Sequence, residues 1–349
     1  MNEKNREYWQ KRFSILNEHL LNRGDNYEKE VQQHYTCTVQ EIQKEIEAFY
    51  QRFAVKNGIS YSEAKKILNS EQRAAFQMTL KEYIKRGKEN GADPKWIKKL
   101  ENASTVYRMT RLKSLQLQIQ QKMELLAASK QSEMKELFEG IYTDGYHQSI
   151  YEIQKGLGYG CSFSILDDRL INLALAKSYD ADGSNFSQKI WKDRDYLVHT
   201  LDIEFTHMII RGSSPDKLIT SLVKKFNTSK KNVGTLVLTE SAFLSSVAKK
   251  DCFQELGVAE YENIETLDGS TCEDCREMDG THFPLSEFEP WTTAAPFHHR
   301  CRGTQAPYFN DEFTLNEKRT ARAKDGKKYA VPSSMKYKEW KEKYVDAIK

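Results

Sequence analysis

A chain of 349 residues has room for two or three compact units, and 39% hydrophobic against 30% charged residues describes a polar protein. Its mean hydropathy is -0.73, and no apolar run approaches the roughly 18 residues that cross a bilayer, so no membrane-spanning helix is expected. The formal net charge of +3 is too small for nucleic-acid binding over the whole surface.

The charged opening, MNEKNREYWQKRF, lacks the apolar stretch of a secretory signal, so a cytoplasmic origin is the expectation. Residues 1–155 contain one proline and six glycines among long runs of Glu, Lys, Gln, Leu and Ala, which is helical composition. Trp9, Phe13, Leu16 and Leu20 recur at three- and four-residue intervals and share one helix face. Ile42, Ile46, Phe49, Tyr50 and Phe53 repeat the pattern. In NGISYSEAKKIL, Gly58 ends one helix and Ser60 or Ser62 caps the next. A further long helix is predicted through VYRMTRLKSLQLQIQQKMELLAA.

GLGYG, at 156–160, breaks this texture. No Lys-Ser/Thr follows, so a turn or hinge is expected and not a phosphate loop. In DADGSN (180–185) the glycine comes too early for a calcium loop, and Trp191 stands where its bidentate Glu belongs. The neighbouring acidic pairs Asp167-Asp168 and Asp193 with Asp195 read as surface residues. Helical periodicity returns from Phe186 to about Leu256, with a helix start at Gly212–Pro215 and a helix end and loop at KKFNTSKKN. A long buried helix, TLVLTESAFLSSVAKKDCFQELG, is then closed by Gly257.

Beyond it YENIET alternates like a strand, and four of the seven prolines crowd between Pro284 and Pro307. A small loop-rich β unit is expected, and such units usually need a staple. The expected fold is therefore mainly α. It is an elongated helical body with a small α+β, loop-rich C-terminal unit stapled by zinc. The regions are a helical N-terminal part (1–155), a helical middle (156–257), the β unit (258–310) and a basic tail (311–349). That tail carries eleven basic against seven acidic residues, which suits a solvated, partly helical end or an arm for nucleic acid.

Cys37, Cys161 and Cys252 are scattered singly and are read as buried or inert thiols. The other three lie in CEDCREMDGTHFPLSEFEPWTTAAPFHHRC, with three of the eight histidines. Cys272-x-x-Cys275 can place two thiolates on one ion from a single turn. His298-x-x-Cys301, after 22 further residues, completes a Cys3His tetrahedron, a standard closed zinc set. His299 competes with His298 for the fourth place, and His282, on a short THF strand, is a weaker competitor. A Cys–His nucleophile, an open catalytic zinc, an HNH-type nuclease using the two histidines, and a metal-free dithiol are the rival readings. No GxSxG, Walker loop or HExxH occurs.

On these residues the chain resembles the phage head-morphogenesis (Mu F-like) family, whose C-terminal motif is D-x-x-x-C-x-x-C-x-x-x-D/N-G followed by H-P-x-C-R. Here the elements are Asp268, Cys272, Cys275, Asp279, Gly280, His298, Cys301 and Arg302, with His299 in place of the proline. Thr239 and Glu240 match a Thr-Glu pair in the family's preceding helix, and Glu240 is expected to bond to backbone of the β unit. NFSQKIW (185–191) and the N-terminal EYWQKR and IEAFYQRFAVKNGISYSEA are similar to segments of minor head proteins from phages of Gram-positive bacteria. The resemblance implies a non-enzymatic minor head protein of a tailed phage or prophage. It would sit in the virion or procapsid, bind the portal and other procapsid proteins, act in assembly or DNA ejection, and reach phage DNA through the basic tail. The alternatives are a metal-dependent nuclease or a phage-borne toxin-like effector.

Overall fold

The computed structural model describes residues 3–64, 84–97, 111–158, 160, 162–178, 183–211, 215–266, 268, 270–309, 319–322 and 328–331. The helix expected at SSMKYKEWKEKY, the first half of DADGSN, and Gly212 to Ser214 lie outside them. The protein is mainly helical. Among the described residues the helices include α1 (Glu3–Asn57), α2 (Tyr61–Ala64), α3 (Arg111–Leu157), α4 (Asp168–Ala176), α5 (Phe186–Arg211), α6 (Pro215–Glu255) and α7 (Glu273–Met278), with helical residues also at 84–89 and 94–97. Three strands, β1 (Glu260–Ile264), β2 (His282–Pro284) and β3 (Thr304–Tyr308), form an antiparallel sheet in the order β2-β1-β3. A separate hairpin pairs β4 (Arg319–Arg322) with β5 (Lys328–Val331), so part of the tail is extended where a solvated helical end was the simpler expectation.

Helix α1 needs no interruption because its apolar residues keep one face for its whole length. Trp9, Phe13, Leu16, Leu20, Tyr27, Val31, Tyr35, Ile42, Ile46, Tyr50 and Phe53 are all buried. Gly58 then adopts φ +61, and Ile59 N–H reaches back to Ala54 O at 3.1 Å, an ordinary glycine stop. Ser60 and Glu63 form a reciprocal capping box for α2. Glu63 N–H donates to Ser60 Oγ at 3.2 Å, and Ser60 N–H donates to Glu63 Oε2 at 2.9 Å.

The chain folds as two compact units. The first takes Met1–Tyr27, Lys135–Asn185 and Thr235–Lys349, the second Glu28–Met134 and Phe186–Gly234. In the second unit Arg194 donates to both oxygens of the fully buried Glu124 (2.9 and 2.7 Å) and to Asp93 Oδ2 (2.9 Å). Asp193, expected at the surface, is half-buried instead and accepts from Tyr35 Oη at 3.1 Å and Ser229 Oγ at 2.7 Å. Cys37, expected to be buried or inert, is exposed.

KKFNTSKKN does not end a helix; α6 runs straight through it. Leu222, Phe226, Ser229 and Val233 stay buried at three- and four-residue steps, and Thr228 Oγ1 donates to Lys224 O within the helix at 3.2 Å. The polar residues are thus bonded in place, and packing overrides their turn preference.

In the first unit α6 is buried on almost every side from Leu236 to Lys249, as a central helix must be. It stops at Gly257, φ +68. Close approach to its neighbours uses small residues. A Cβ on Gly24 would lie 2.6 Å from Ser241 Oγ, and one on Gly156 would lie 2.2 Å from the Trp9 ring. Trp9 packs on Phe309 and Phe13 on Phe253, with ring centroids 5.4 and 5.8 Å apart. The start of α1 is also tied to the sheet, where Arg6 Nε and Gln10 donate to the buried Glu262 at 2.6 and 3.1 Å. Covered on both faces, β1 buries every residue from Tyr261 to Ile264 and does not alternate. Among the described residues no helix is long and apolar enough to cross a membrane.

Candidate metal centre

The cluster is built at one end of this sheet, by the turns that enter and leave it. After β1 the Glu265 N–H donates to Asp279 Oδ1 at 2.8 Å. Asp268 closes the next turn by accepting from Ser270 N–H at 2.8 Å. Cys272 is the N-cap of α7; its Sγ accepts from Cys275 N–H at 3.4 Å, so both cysteines stand on one helical turn. Asp279 ends that helix, and Gly280, φ +74, donates its N–H to Asn263 O at 2.9 Å as the chain returns to β2.

The second half of the cluster comes from the turn before β3. Arg300 holds a left-handed φ of 61, uncommon for a residue with a Cβ. Its N–H donates to Thr239 Oγ1 and its Nε to Thr235 Oγ1, each at 3.2 Å. The turn is thereby fastened to α6, and Cys301 N–H closes it on His298 O at 3.2 Å. The backbone bond from the β unit to this pair goes to Thr239, whereas it was expected at Glu240, which is buried beside it.

Three of the four sequence-nominated donors meet in one group, and the fourth, Cys301, reaches it through Cys275. Cys272, Cys275 and His298 offer atoms all within 4.8 Å of one another. Cys275 Sγ lies 3.2 Å from His298 Nε2 and 3.8 Å from Cys301 Sγ. A tetrahedral ion with metal–sulfur bonds of about 2.3 Å sets its thiolates about 3.8 Å apart, so the Cys275–Cys301 pair already has that spacing. His298 Nδ1 lies 2.8 Å from the His299 carbonyl. An Nδ1–H donated there leaves the Nε2 lone pair facing the sulfurs, the usual orientation of a ligand histidine. The competitors point elsewhere: the His299 ring packs edge-on against Trp291, and His282 stacks on Tyr308.

Electrostatics favour a cation at this spot. Cys301 is pulled below the usual thiol range by the hydrogen bond from Cys275, while that same bond and burial drive Cys275 upward. Burial and the neighbouring Cys301 raise the Glu265 carboxyl to about 8. A buried group of this kind holds little negative charge unless a positive ion compensates it. None of the described cysteines is in a disulfide. The donors fit a soft, tetrahedral divalent ion. Glu265 was missed in the sequence; the only signal was a second acidic residue, after Glu262, in the YENIET segment.

Asp268 and Arg302 close the outside of the cluster through a bidentate pair. The class so defined is a mainly helical protein with a small sheet unit gathered round a thiol-imidazole centre. Residues 199–306 match the family model described as Phage Mu protein F like protein, a stretch that holds every nominated residue from Thr239 to Arg302. That match makes this stretch of the chain similar to that family. No curated protein and no solved structure matches it significantly.

Proposed function

We propose that this is a non-enzymatic minor head protein of a tailed phage or prophage whose C-terminal unit is held by one structural zinc on Cys272, Cys275, His298 and Cys301. The observation that carries the reading is the convergence of Cys272, Cys275 and His298, with Cys301 Sγ 3.8 Å from Cys275 Sγ, inside the family-matched segment. Four such donors close a tetrahedron and leave no open position for a substrate. The zinc would supply a charge that binds the donors together; the chain's own contribution is to orient them through the α7 cap, the Arg300 turn and the His299 carbonyl.

In this reading the protein sits in the procapsid and virion head, bound to the portal and neighbouring head proteins, and acts in assembly and DNA ejection. Arg319, Arg322 and Lys328, on or beside the hairpin of the tail, give it a basic segment for phage DNA. A nuclease using the adjacent histidines is disfavoured because His298 and His299 face different neighbours. A toxin-like effector has no specific observation in its favour.

The test is co-purification with portal-containing procapsids, alongside plasmid cleavage with added divalent ions. Retention in procapsids and no cleavage are expected. Absence from procapsids, or cleavage abolished by His299→Ala in a folded protein, contradicts the proposal.

A further inference from the structure

Glu265 stands at the cluster but has no place in the Cys3His set. It follows β1 directly and is 6% exposed, with Oε1 making no hydrogen bond. Its carboxylate, Cys275 Sγ and Cys301 Sγ lie within 4.8 Å of one another, a second triad that shares Cys275 with the first. The carboxylate's one hydrogen-bond partner is the Cys275 thiol, and a buried carboxylate with so little compensation is costly unless a cation meets it. The nearby cation, Arg302, donates through both terminal nitrogens to Asp268 instead.

The approach of Glu265 depends on the backbone opposite. A Cβ on Gly303 would sit 2.1 Å from Oε1, so a side chain at 303 would crowd the carboxylate out of its present place. Gly303 comes two residues after Cys301, so the turn that delivers the third thiol also admits the oxygen. Zinc accepts carboxylate oxygen at about 2.0–2.2 Å together with thiolates.

We infer that Glu265 is a reserve metal ligand, able to complete a Cys3Glu tetrahedron when His298 is withdrawn. The inference rests on the zinc staple proposed above. The site then has five donors for four positions. Removing either Glu265 or His298 leaves four donors, whereas removing both leaves three.

Zinc per chain, measured by mass spectrometry on full-length protein after brief chelator treatment, separates the cases. The unaltered chain, Glu265→Gln and His298→Ala should each keep about one zinc, and Glu265→Gln/His298→Ala should lose it. With cobalt in place of zinc, the visible bands of His298→Ala should move, then vanish when Glu265→Gln is added. Gly303→Ala/His298→Ala should also lose the ion, because the methyl group displaces the carboxylate. Helical circular dichroism confirms that each variant is folded. Loss of zinc from His298→Ala alone overturns the inference, as does retention in a folded double variant. An unaltered chain without zinc overturns the staple itself.

Discussion

Arg302 grips both oxygens of Asp268, at 2.6 and 2.8 Å, across 34 residues of sequence. The pair joins the turn before Cys272 to the strand after Cys301, so it ties the two halves of the cluster from outside. Arg302→Lys, which cannot reproduce the planar fork, and Asp268→Asn should each speed zinc transfer to a chelator. Their double variant should be no faster than the worse single. The guanidinium holds the Asp268 carboxyl far below its usual range. Its contribution is present above the ordinary carboxylate range and lost only as pH falls well below it, so zinc release between pH 7 and 5 should be equally pH-dependent with or without the pair. Additive rates, or a release profile altered by Asp268→Asn, would count against this role.

Thr239 is fully buried and gives the Arg300 N–H its acceptor. Thr239→Val keeps the shape and removes the oxygen, which should cost about 1–3 kcal/mol in urea unfolding. Thr239→Ser should cost much less. Equal losses would show that the methyl group, not the bond, is what matters.

Lys249 is fully buried, with Nζ 2.6 Å from Ser245 Oγ and 3.1 Å from Asn17 Oδ1. Asn17 in turn donates to Arg302 O at 3.1 Å. Burial lowers the amine to about 7, whereas in the unfolded chain it titrates near 10.4. Between those values the unfolded state binds more protons, so this group makes stability rise with pH from about 7 to 10. The slope is at most about 1.4 kcal/mol per pH unit. Lys249→Met should remove that slope, read as the difference in urea midpoints between the two proteins at pH 7 and 9. Parallel midpoints would mean that Lys249 titrates normally.

Much of this was legible in sequence where one physical pattern acts alone. The stripe from Trp9 to Phe53 and the glycine stops at 58 and 257 rest on local periodicity or glycine geometry, whereas the YENIET strand was expected from an alternation that its burial does not show. The Cys-x-x-Cys and His-x-x-Cys spacing nominated four donors, of which Cys272, Cys275 and His298 gather in one group and Cys301 adjoins Cys275. What failed depended on distant partners. KKFNTSKKN is a poor helix locally and is held helical by burial of Phe226 and Val233 and by Ser229 reaching Asp193. The choice of His298 over His299 follows from the Arg300 turn, whose φ is fixed by Thr239 and Thr235. Glu265 could not be found, because its proximity to Cys275 and Cys301 exists only once β1 and β3 pair.

The central claim is that a single ion staples residues 258–309 onto a helical body that needs no metal itself. The direct measurement follows zinc content and Trp fluorescence, with helical circular dichroism, while a strong chelator is added to the purified chain. The account predicts about one zinc per chain and, on its removal, a change in the environment of Trp291 with most helical signal kept. Cys275→Ser should start in that altered state. A chain that carries no zinc, or loses it with no change around Trp291, would contradict the staple.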